Sequence, residues 1–204
     1  MRPEPAVPAQ RCPWCGDDPL YQRYHDDEWG VPQGDDRRLF EKLVLEGFQS
    51  GLAWITILRK RESFRQAFDN FDCARIARYT DADKARLMAD AGIIRNRLKI
   101  DATIDNAKAY LALAEHQSLS SLLWGFVDGR AIQNRYKTHE DIPAQTLLSA
   151  QISKELKAKG FRFVGPTTLY AFMQSVGMVN DHLTQCHRHA ACAGLQQAFE
   201  APKI

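Results

Sequence analysis

Apolar residues recur along most of this chain at intervals of three and four, the spacing that places side chains on one face of an α-helix. After Asp35 or Asp36, either of which can cap a helix, the pattern runs through Leu39 and Leu43. Similar runs predict further helices at residues 52–69, 81–91, 97–115, 119–127, 146–159 and 167–176. The alternation typical of strands is almost absent, so the sequence predicts an all-α protein of about seven to nine helices.

The predicted helices form a single domain over residues 11–190, interrupted by a polar, irregular loop at 128–143. Residues 1–10 carry three prolines and no apolar run, so we expect a disordered tail there, and a mobile end at residues 191–204. No run of about 18 apolar residues is present, and no membrane span is predicted. With no apolar leader, the sequence favours a cytoplasmic protein, which we expect to be a monomer.

The formal charge of +2, from 27 Lys plus Arg and 25 Asp plus Glu, conceals a segregation of charge. Residues 12–50 hold four basic and nine acidic residues, a balance of −5, whereas residues 56–100 hold eleven basic and six acidic residues, a balance of +5. Residues 151–204 hold six basic and three acidic residues, or +3. Binding of a polyanion depends on local clusters, so an anionic partner is not excluded. Solvated helix faces would give the same pattern.

One acidic residue interrupts an otherwise apolar helix face. Glu46 lies seven residues after Leu39 and three after Leu43, and therefore shares their face. Burial of a lone carboxylate is costly and raises its pKa, which is typical of functional groups. The alternative is that Gly47 and Gly51 loosen the end of the helix and admit water.

Large aromatic rings are concentrated in the acidic segment before this helix. Trp14, Tyr21, Tyr24 and Trp29 lie within sixteen residues, among several carboxylates, in a pattern that fits no ordinary amphipathic helix. Flat rings with polar tips suit a pocket that stacks a planar ligand. Without further context, a peripheral mini-core where an irregular segment docks on the helices is the better explanation.

Cysteines and histidines gather in two distant parts of the chain, Cys12 with His25 and His182 with Cys186. Two thiolates and two imidazoles make a closed tetrahedral zinc site, which is structural and would join the two ends of the chain. The five cysteines are a poor disulfide framework, because their number is odd and a cytoplasmic chain keeps them reduced. Other candidate ligands lie nearby, namely Cys15, His187, His189 and Cys192. The C-x-x-C pair at residues 12–15 lacks the βαβ context of a redox motif.

A glycine-bounded turn at residues 160–165 separates the last two predicted helices. Amides in such a turn, and at a helix that begins at Pro166, can hold a phosphate. Lys157, Lys159 and Arg162 would add positive charge. Glycine-bounded connections are common, and a bare helical hairpin is the alternative.

Together these features resemble one family, DNA-3-methyladenine glycosylase I of the helix-hairpin-helix DNA glycosylase superfamily. The resemblance runs from Arg11 to about Cys186. It is carried by Asp18-Pro-Leu-Tyr21, Tyr24-His25-Asp26, Glu28-Trp-Gly-Val-Pro32, Leu45-Glu-Gly47, Gly51-Leu-Ala-Trp-Ile-Thr56, Ala91-Gly-Ile-Ile-Arg95, Gly160-Phe-Arg-Phe-Val-Gly165 and Val179-Asn-Asp-His182. It implies an all-α fold with a helix-hairpin-helix at about residues 147–178 and with the two terminal segments joined by zinc.

The resemblance also implies an activity. The expected enzyme flips 3-methyladenine out of alkylated double-stranded DNA, hydrolyses its N-glycosidic bond and leaves an abasic site for base-excision repair. By position, Glu46 would be the catalytic residue that hydrogen-bonds the base, and Leu52 would wedge into the space that the base leaves. The other implied roles are base binding by Tyr24, Trp54, Tyr21, Trp14 and Trp29, DNA contact by Gly51, Lys159, Arg162, Gly165 and Thr167, and coordination of one structural zinc ion by Cys12, His25, His182 and Cys186.

A second carboxylate competes for the catalytic role. In the wider superfamily an aspartate after the second hairpin helix is the usual catalytic residue, and Asp181 lies near that place. It also precedes His182, so orientation of that ligand or capping of the last helix is an equal alternative. We therefore rank Glu46 first and Asp181 second.

The reaction type follows from the start of the second hairpin helix. Bifunctional members of the superfamily carry a lysine nucleophile there, whereas this chain has Pro166-Thr-Thr168. The sequence therefore predicts hydrolysis without strand cleavage.

Three other functions are alternatives to this interpretation. The chain could act on another lesion with the same scaffold, or be a DNA-binding module with an inactive pocket, although Glu46 and the rings together speak against the latter. A zinc hydrolase would need an open coordination position, which a set of four ligands does not leave.

Overall fold

The structure, a computed structural model, describes residues 10–202, so the predicted tail lies almost wholly outside the described residues. Within them the helices are α1 Pro19–Asp27, α2 Asp36–Gln49, α3 Trp54–Ala67, α4 Cys73–Ile76, α5 Asp81–Ala89, α6 Arg97–Ala114, α7 Leu119–Gly125, α8 Leu147–Ala158, α9 Pro166–Ser175 and α10 His187–Ala198. Short 3-10 helices cover Pro13–Cys15, Asp69–Phe71 and His139–Asp141. The prediction of a mostly helical chain is confirmed. No helix in residues 10–202 is both long and apolar enough to cross a membrane.

Helix α2 lies at the centre of the fold, because it packs against α3, α6, α7 and α9. Asp35 caps it by accepting a hydrogen bond from the amide of Arg38 at 2.9 Å, as the sequence predicts. Its residues from Leu43 to Phe48 are all buried, and the Phe48 ring contacts the Phe64 ring of α3 at 4.8 Å. A residue on this part of α2 is therefore inside the protein whatever its polarity.

The hairpin of α8 and α9 is the most extensive helix pairing in the described part of the chain. Leu156 and Phe161 are buried beneath the turn, and Ser153 Oγ donates to the Val164 carbonyl at 2.6 Å. Gly160 occupies the left-handed region at φ 92°, which suits glycine. The turn is thus anchored from below while its outer side faces solvent.

The N-terminal segment crosses the end of α9 before α2 begins. The amide of Gly30 donates to the Gln174 carbonyl at 3.1 Å, and that of Gln33 donates to the Val176 carbonyl at 3.1 Å. Gly177 makes this crossing possible: its φ is 72°, and a Cβ there would lie 2.6 Å from the backbone of Val31. The crossing fixes the aromatic segment against α9.

Four segments differ from their predictions, two of them because α1 and α4 lie where no helix was predicted. The loop at 128–143 contains a short strand β1, Ile132–Gln133, which pairs in parallel with β2, Val179–Asn180. The segment predicted as a mobile end instead begins in α10, where Cys192 and Gln196 are buried four residues apart. Its apolar face was missed because alanine and glycine occupy much of the helix.

Candidate functional site

A cavity of about 300 Å³ opens between α1, α2, α3 and α9. Its walls combine aromatic and polar side chains: Trp14, Tyr21, Tyr24, Trp29, Glu46, Gln49, Trp54, His139, Ile142, Ala171 and Gln174. The structure therefore brings together the five predicted rings and the predicted carboxylate, although they come from residues 14–54 of separate elements.

The rings form a continuous wall because neighbouring rings contact one another, most of them at steep interplanar angles. Asp18 caps α1 by accepting from the Leu20 and Tyr21 amides, and this fixes the helix that carries Tyr21 and Tyr24. The Trp14 ring lies 5.0 Å from both the Tyr21 and Trp29 rings, and Tyr24 lies 5.5 Å from Trp54. Such tilted contacts are favourable pair geometries, so the wall is formed before any ligand arrives.

Glu46 is the acidic group of the cavity. Its side chain lies on the buried face of α2, and only 4% of the residue is exposed. Burial raises the pKa of this carboxyl to about 7, against the opposing effects of the Lys42 ammonium and the Ser175 hydroxyl. Helix α2 continues through Gly47 to Gln49, so the glycines do not open the helix at Glu46.

Lys42 is a site residue that sequence reasoning missed. Its Nζ donates to the Tyr24 hydroxyl at 2.8 Å and lies 4.4 Å from the Tyr24 ring centroid and 4.5 Å from that of Trp54. Burial lowers its pKa to about 8. The available signal was its position one helical turn before Glu46, where a lysine is usually a solvated residue.

The rim of the cavity includes further residues that no sequence signal singled out. His139 and Ile142 come from the loop at 128–143, and Gln174 comes from α9. The loop is held in place because the amide of Thr138 donates to Asp141 at 3.0 Å, in a capping box. A segment predicted only as an irregular connection thus borders the site.

The turn between α2 and α3 lies beside the cavity and is held by side-chain donors. Gly51 has φ 85° and Leu52 is 37% exposed. Gln49 Nε2 donates to the Leu52 carbonyl at 2.7 Å, while the buried Lys99 donates to the Phe48 carbonyl at 2.8 Å. Because Gln49 also lines the cavity, the exposed leucine keeps a fixed position relative to it.

The other residues predicted to contact DNA lie at the α8–α9 turn, outside the cavity wall. Lys159 pairs with Glu155 at 3.1 Å, and Arg162 pairs with Asp105 at 2.6 Å. Gly165 is the N-cap residue of α9, and Thr167 is exposed in the first turn of that helix. Both basic side chains therefore have an acidic partner within the protein.

The four predicted metal ligands converge behind the aromatic wall. The ligand atoms of Cys12, His25, His182 and Cys186 lie within 4.8 Å of one another, and all four residues are buried. His25 Nδ1 lies 2.8 Å from Asp26, and His182 Nε2 lies 2.9 Å from the Trp29 carbonyl. The outer nitrogen of each ring thus has a partner, and the inner nitrogens, His25 Nε2 and His182 Nδ1, face Cys186 Sγ at 3.5 and 3.6 Å, as a shared metal would require. The nearby Cys15, His187, His189 and Cys192 do not belong to this cluster.

Asp181 is buried and has partners on both oxygens. Asn134 Nδ2 donates to it at 2.7 Å, the Tyr170 hydroxyl at 2.7 Å and Gln174 Nε2 at 2.8 Å. Asp181 does not line the cavity, whereas Gln174 does. The carboxylate of Asp181 is therefore connected to the cavity wall indirectly, by its hydrogen bond with Gln174.

Comparison with known proteins decides the family. The methyladenine glycosylase family model matches residues 14–189. This chain belongs to the methyladenine glycosylase family. It is 49% identical to the DNA-3-methyladenine glycosylase of Haemophilus influenzae over 177 residues, which are 86% of this chain and 96% of that protein.

Two solved structures of the family resemble this fold. A crystal structure of 3-methyladenine DNA glycosylase I has a TM-score of 0.87 and 49% identity, and the match covers 88% of this chain and all of that one (100%). The Staphylococcus aureus enzyme, described for its recognition of 3-methyladenine, has a TM-score of 0.84 and 36% identity, with 87% and 95% covered. The likeness thus spans nearly the whole described chain.

The raised pKa of Glu46 predicts a pH-dependent stability. The folded protein favours the protonated carboxyl of Glu46. The contribution of this group to the free energy of unfolding is therefore present at low pH and is lost as pH rises through about 7. Glu46→Gln removes the buried charge and is expected to raise the free energy of unfolding at pH 8 by about 2–3 kcal/mol, with little change at pH 5. Urea denaturation at both pH values measures this. Glu62→Gln, at an exposed position, should leave the free energy of unfolding unchanged at both pH values. Equal stability of Glu46→Gln and wild type at pH 8 would contradict the raised pKa of Glu46.

Proposed function

We propose that this chain is a monofunctional DNA glycosylase that hydrolyses the N-glycosidic bond of 3-methyladenine in alkylated double-stranded DNA, releasing the free base and leaving an abasic site for base-excision repair. The observation that carries the proposal is a buried carboxylate, Glu46, in a cavity walled by aromatic rings, in a chain of the methyladenine glycosylase family.

The cavity suits a flat cation. A base methylated at N3 carries a positive charge in DNA, and electron-rich rings attract a cation through their π-faces. A carboxylate adds a Coulomb attraction that is stronger in a desolvated cavity than in water. Neutral adenine would gain less from both interactions. We propose that Tyr24 and Trp54 stack on the base, that Tyr21, Trp14 and Trp29 complete the pocket, and that Glu46 hydrogen-bonds the base.

Cleavage of this bond needs less acid catalysis from the protein than cleavage at a normal base, because the methylated base is already a good leaving group. The electrons of the glycosidic bond leave with the base, which becomes neutral, and water adds to C1′ of the sugar with loss of a proton. The sugar passes through an oxocarbenium-like state, which a nearby carboxylate stabilises. The ionised form of Glu46 is therefore the active one in this proposal.

Extrusion of the base costs a few kcal/mol, which stacking in the pocket and a wedge in the duplex would offset. Leu52, exposed beside Gly51, is the proposed wedge. The α8–α9 hairpin is proposed as a helix-hairpin-helix whose Gly165 and Thr167 amides, at the start of α9, bind a backbone phosphate. Lys159 and Arg162 would add positive charge to this surface.

The proposed reaction is hydrolysis alone. Helix α9 begins at Pro166, followed by Thr167 and Thr168, and a lyase would need a lysine there to form a Schiff base with the sugar. Borohydride is therefore expected to trap no covalent adduct with DNA.

We also propose one structural zinc ion in the Cys12, His25, His182 and Cys186 cluster. Tetrahedral zinc with Zn–S near 2.3 Å and Zn–N near 2.0–2.1 Å requires sulfur–nitrogen separations of about 3.5–3.6 Å. The pairs Cys186 Sγ–His25 Nε2, Cys186 Sγ–His182 Nδ1 and Cys12 Sγ–His182 Nδ1 are 3.5, 3.6 and 3.7 Å apart. Zinc would hold both ends of one domain together, in a protein that we expect to act as a monomer.

Release of bases from methylated duplex DNA tests the function. Free 3-methyladenine is expected, together with an equal amount of abasic sites. Glu46→Gln should lower the single-turnover rate by about 100-fold or more, since it removes the charge that stabilises the transition state. Glu62→Gln is the matched control, because Glu62 is 70% exposed on α3, and its rate should equal that of wild type.

The other outcomes of that experiment are equally specific. Full excision by Glu46→Gln together with loss of activity in Asp181→Asn would transfer the catalytic role to Asp181. Release of 7-methylguanine without 3-methyladenine would indicate a different lesion, and binding of DNA without release of any base would indicate a binding module. An adduct trapped by borohydride would contradict hydrolysis.

Metal analysis of cysteine variants tests the zinc site. The wild type is expected to hold one equivalent of zinc, and Cys186→Ala is expected to lose it and unfold at a lower temperature, because metal binding contributes to folding. Cys15→Ala is the matched control, since Cys15 lies outside the cluster and donates to the Cys12 carbonyl at 3.2 Å. Retention of a full equivalent by Cys186→Ala would contradict the assignment.

A further inference from the structure

The ammonium of Lys42 contacts the aromatic wall from outside the base cavity. Tyr24 and Trp54 line that cavity, whereas Lys42 lines a neighbouring groove of α2 that also includes Glu28 and Arg61. The Lys42 Nζ nevertheless lies 4.4 and 4.5 Å from the two ring centroids. The protein's own cation therefore occupies one cation–π position on the same two rings that are proposed to stack on a cationic base.

One hydrogen bond and one helical spacing connect Lys42 with the proposed chemistry. Its Nζ donates to the Tyr24 hydroxyl at 2.8 Å, which fixes the outer end of that ring. Lys42 and Glu46 are four residues apart on α2, so their side chains share one face of the helix. Lys42 thus contacts a ring of the wall and lies one helical turn from the carboxylate, with which its ammonium interacts through a Coulomb attraction.

Within residues 10–202, no carboxylate oxygen lies within 4 Å of Lys42 Nζ, and two neighbouring carboxylates are paired with arginines. Arg61 forms two hydrogen bonds with Glu28, one of them at 2.8 Å, and Arg65 pairs with Glu41 at 2.8 Å. The hydrogen bond that the structure gives to Lys42 Nζ goes to a neutral hydroxyl. The groups that face Glu46 are Lys42 from α2, Tyr21 and Tyr24 from α1, Ser175 from α9 and His139 across the cavity.

Resting on the proposed function, we propose that Lys42 is a positioning residue of the reaction: its ammonium holds the Tyr24 ring in place and keeps Glu46 negatively charged in the empty cavity. The carboxylate is thereby ready when a cationic base arrives, although it lies where a neutral carboxyl would be more stable.

The pH dependence separates this role from a merely structural one. Burial raises the pKa of Glu46 to about 7 and lowers that of Lys42 to about 8. As pH falls through 7 the carboxylate is lost, and as pH rises through 8 the ammonium is lost. Lys42 therefore supports Glu46 below about pH 8, while above it the two residues act independently. Removal of Lys42 should therefore hinder excision at low pH, where Glu46 loses the charge that stabilises its carboxylate, and not at high pH, where the remaining effect is relief of the repulsion between Lys42 and a cationic base.

The test compares Lys42→Met and Lys42→Arg with wild type. The carboxyl of Glu46 is titrated by NMR in protein with ¹³C-labelled glutamate carboxyls, its resonance being assigned by its loss in Glu46→Gln. Lys42→Met is expected to raise the titration midpoint by about 1–2 pH units, as loss of a nearby charge at an intermediate dielectric implies. Lys42→Arg restores the charge and should keep the midpoint near that of wild type. If Lys42→Met does not fold, Lys42→Gln takes its place.

Single-turnover excision across pH 5.5–9 provides the second readout. The acidic limb of the Lys42→Met profile should move upward by the same amount, and its rate at pH 9 should equal or exceed that of wild type. Lys84→Met, on α5 and paired with Asp101 at 3.1 Å, should leave both readouts unchanged. An unshifted Glu46 midpoint in folded Lys42→Met overturns the proposal. If no variant releases 3-methyladenine, the proposed function fails, but the carboxyl titration still decides the role of Lys42.

Discussion

The burial of one carboxylate is the constraint on which the rest of this structure depends. Glu46 lies on the face of α2 that packs into the core, and its burial shifts its pKa toward neutrality. A protein selected for stability alone would place an apolar residue there. The rings in front of the carboxylate and Lys42 beside it form the environment of a charge that, in the proposed function, attracts a cationic base.

The aromatic wall in turn depends on how the two ends of the chain meet. Trp29 is in contact with the metal-ligand cluster, since its ring lies 4.6 Å from that of His182 and its carbonyl lies 2.9 Å from His182 Nε2. Trp14 lies between Cys12 and Cys15 and contacts the His25 ring at 5.3 Å. The same residues that would bind zinc therefore also support the aromatic wall, so loss of the cluster should disturb the wall as well as the fold.

Much of this arrangement could be predicted from the sequence, because the helical period is a local property. The period located α2 and placed Glu46 on its buried face. It could not decide whether the rings form a pocket or a mini-core, because that depends on contacts between distant segments. The family resemblance implied a pocket, and the structure places the five rings around one cavity. Lys42 was missed because a lysine at that spacing is typical of a solvated helix face. The ion pairs of Lys159 and Arg162 join different elements and leave no local signal.

Recognition of positive charge can be measured with two duplexes that differ only in the charge of the base. Both carry the base on a 2′-fluorinated sugar that resists cleavage; in one duplex the base is 3-methyladenine, and in the other it is the neutral isostere with carbon in place of N3. The wild-type protein should bind the cationic duplex about ten-fold or more tightly, as cation–π and Coulomb attraction in a desolvated site imply, and Glu46→Gln should lose most of this preference. Equal dissociation constants for the two duplexes would contradict selection by charge.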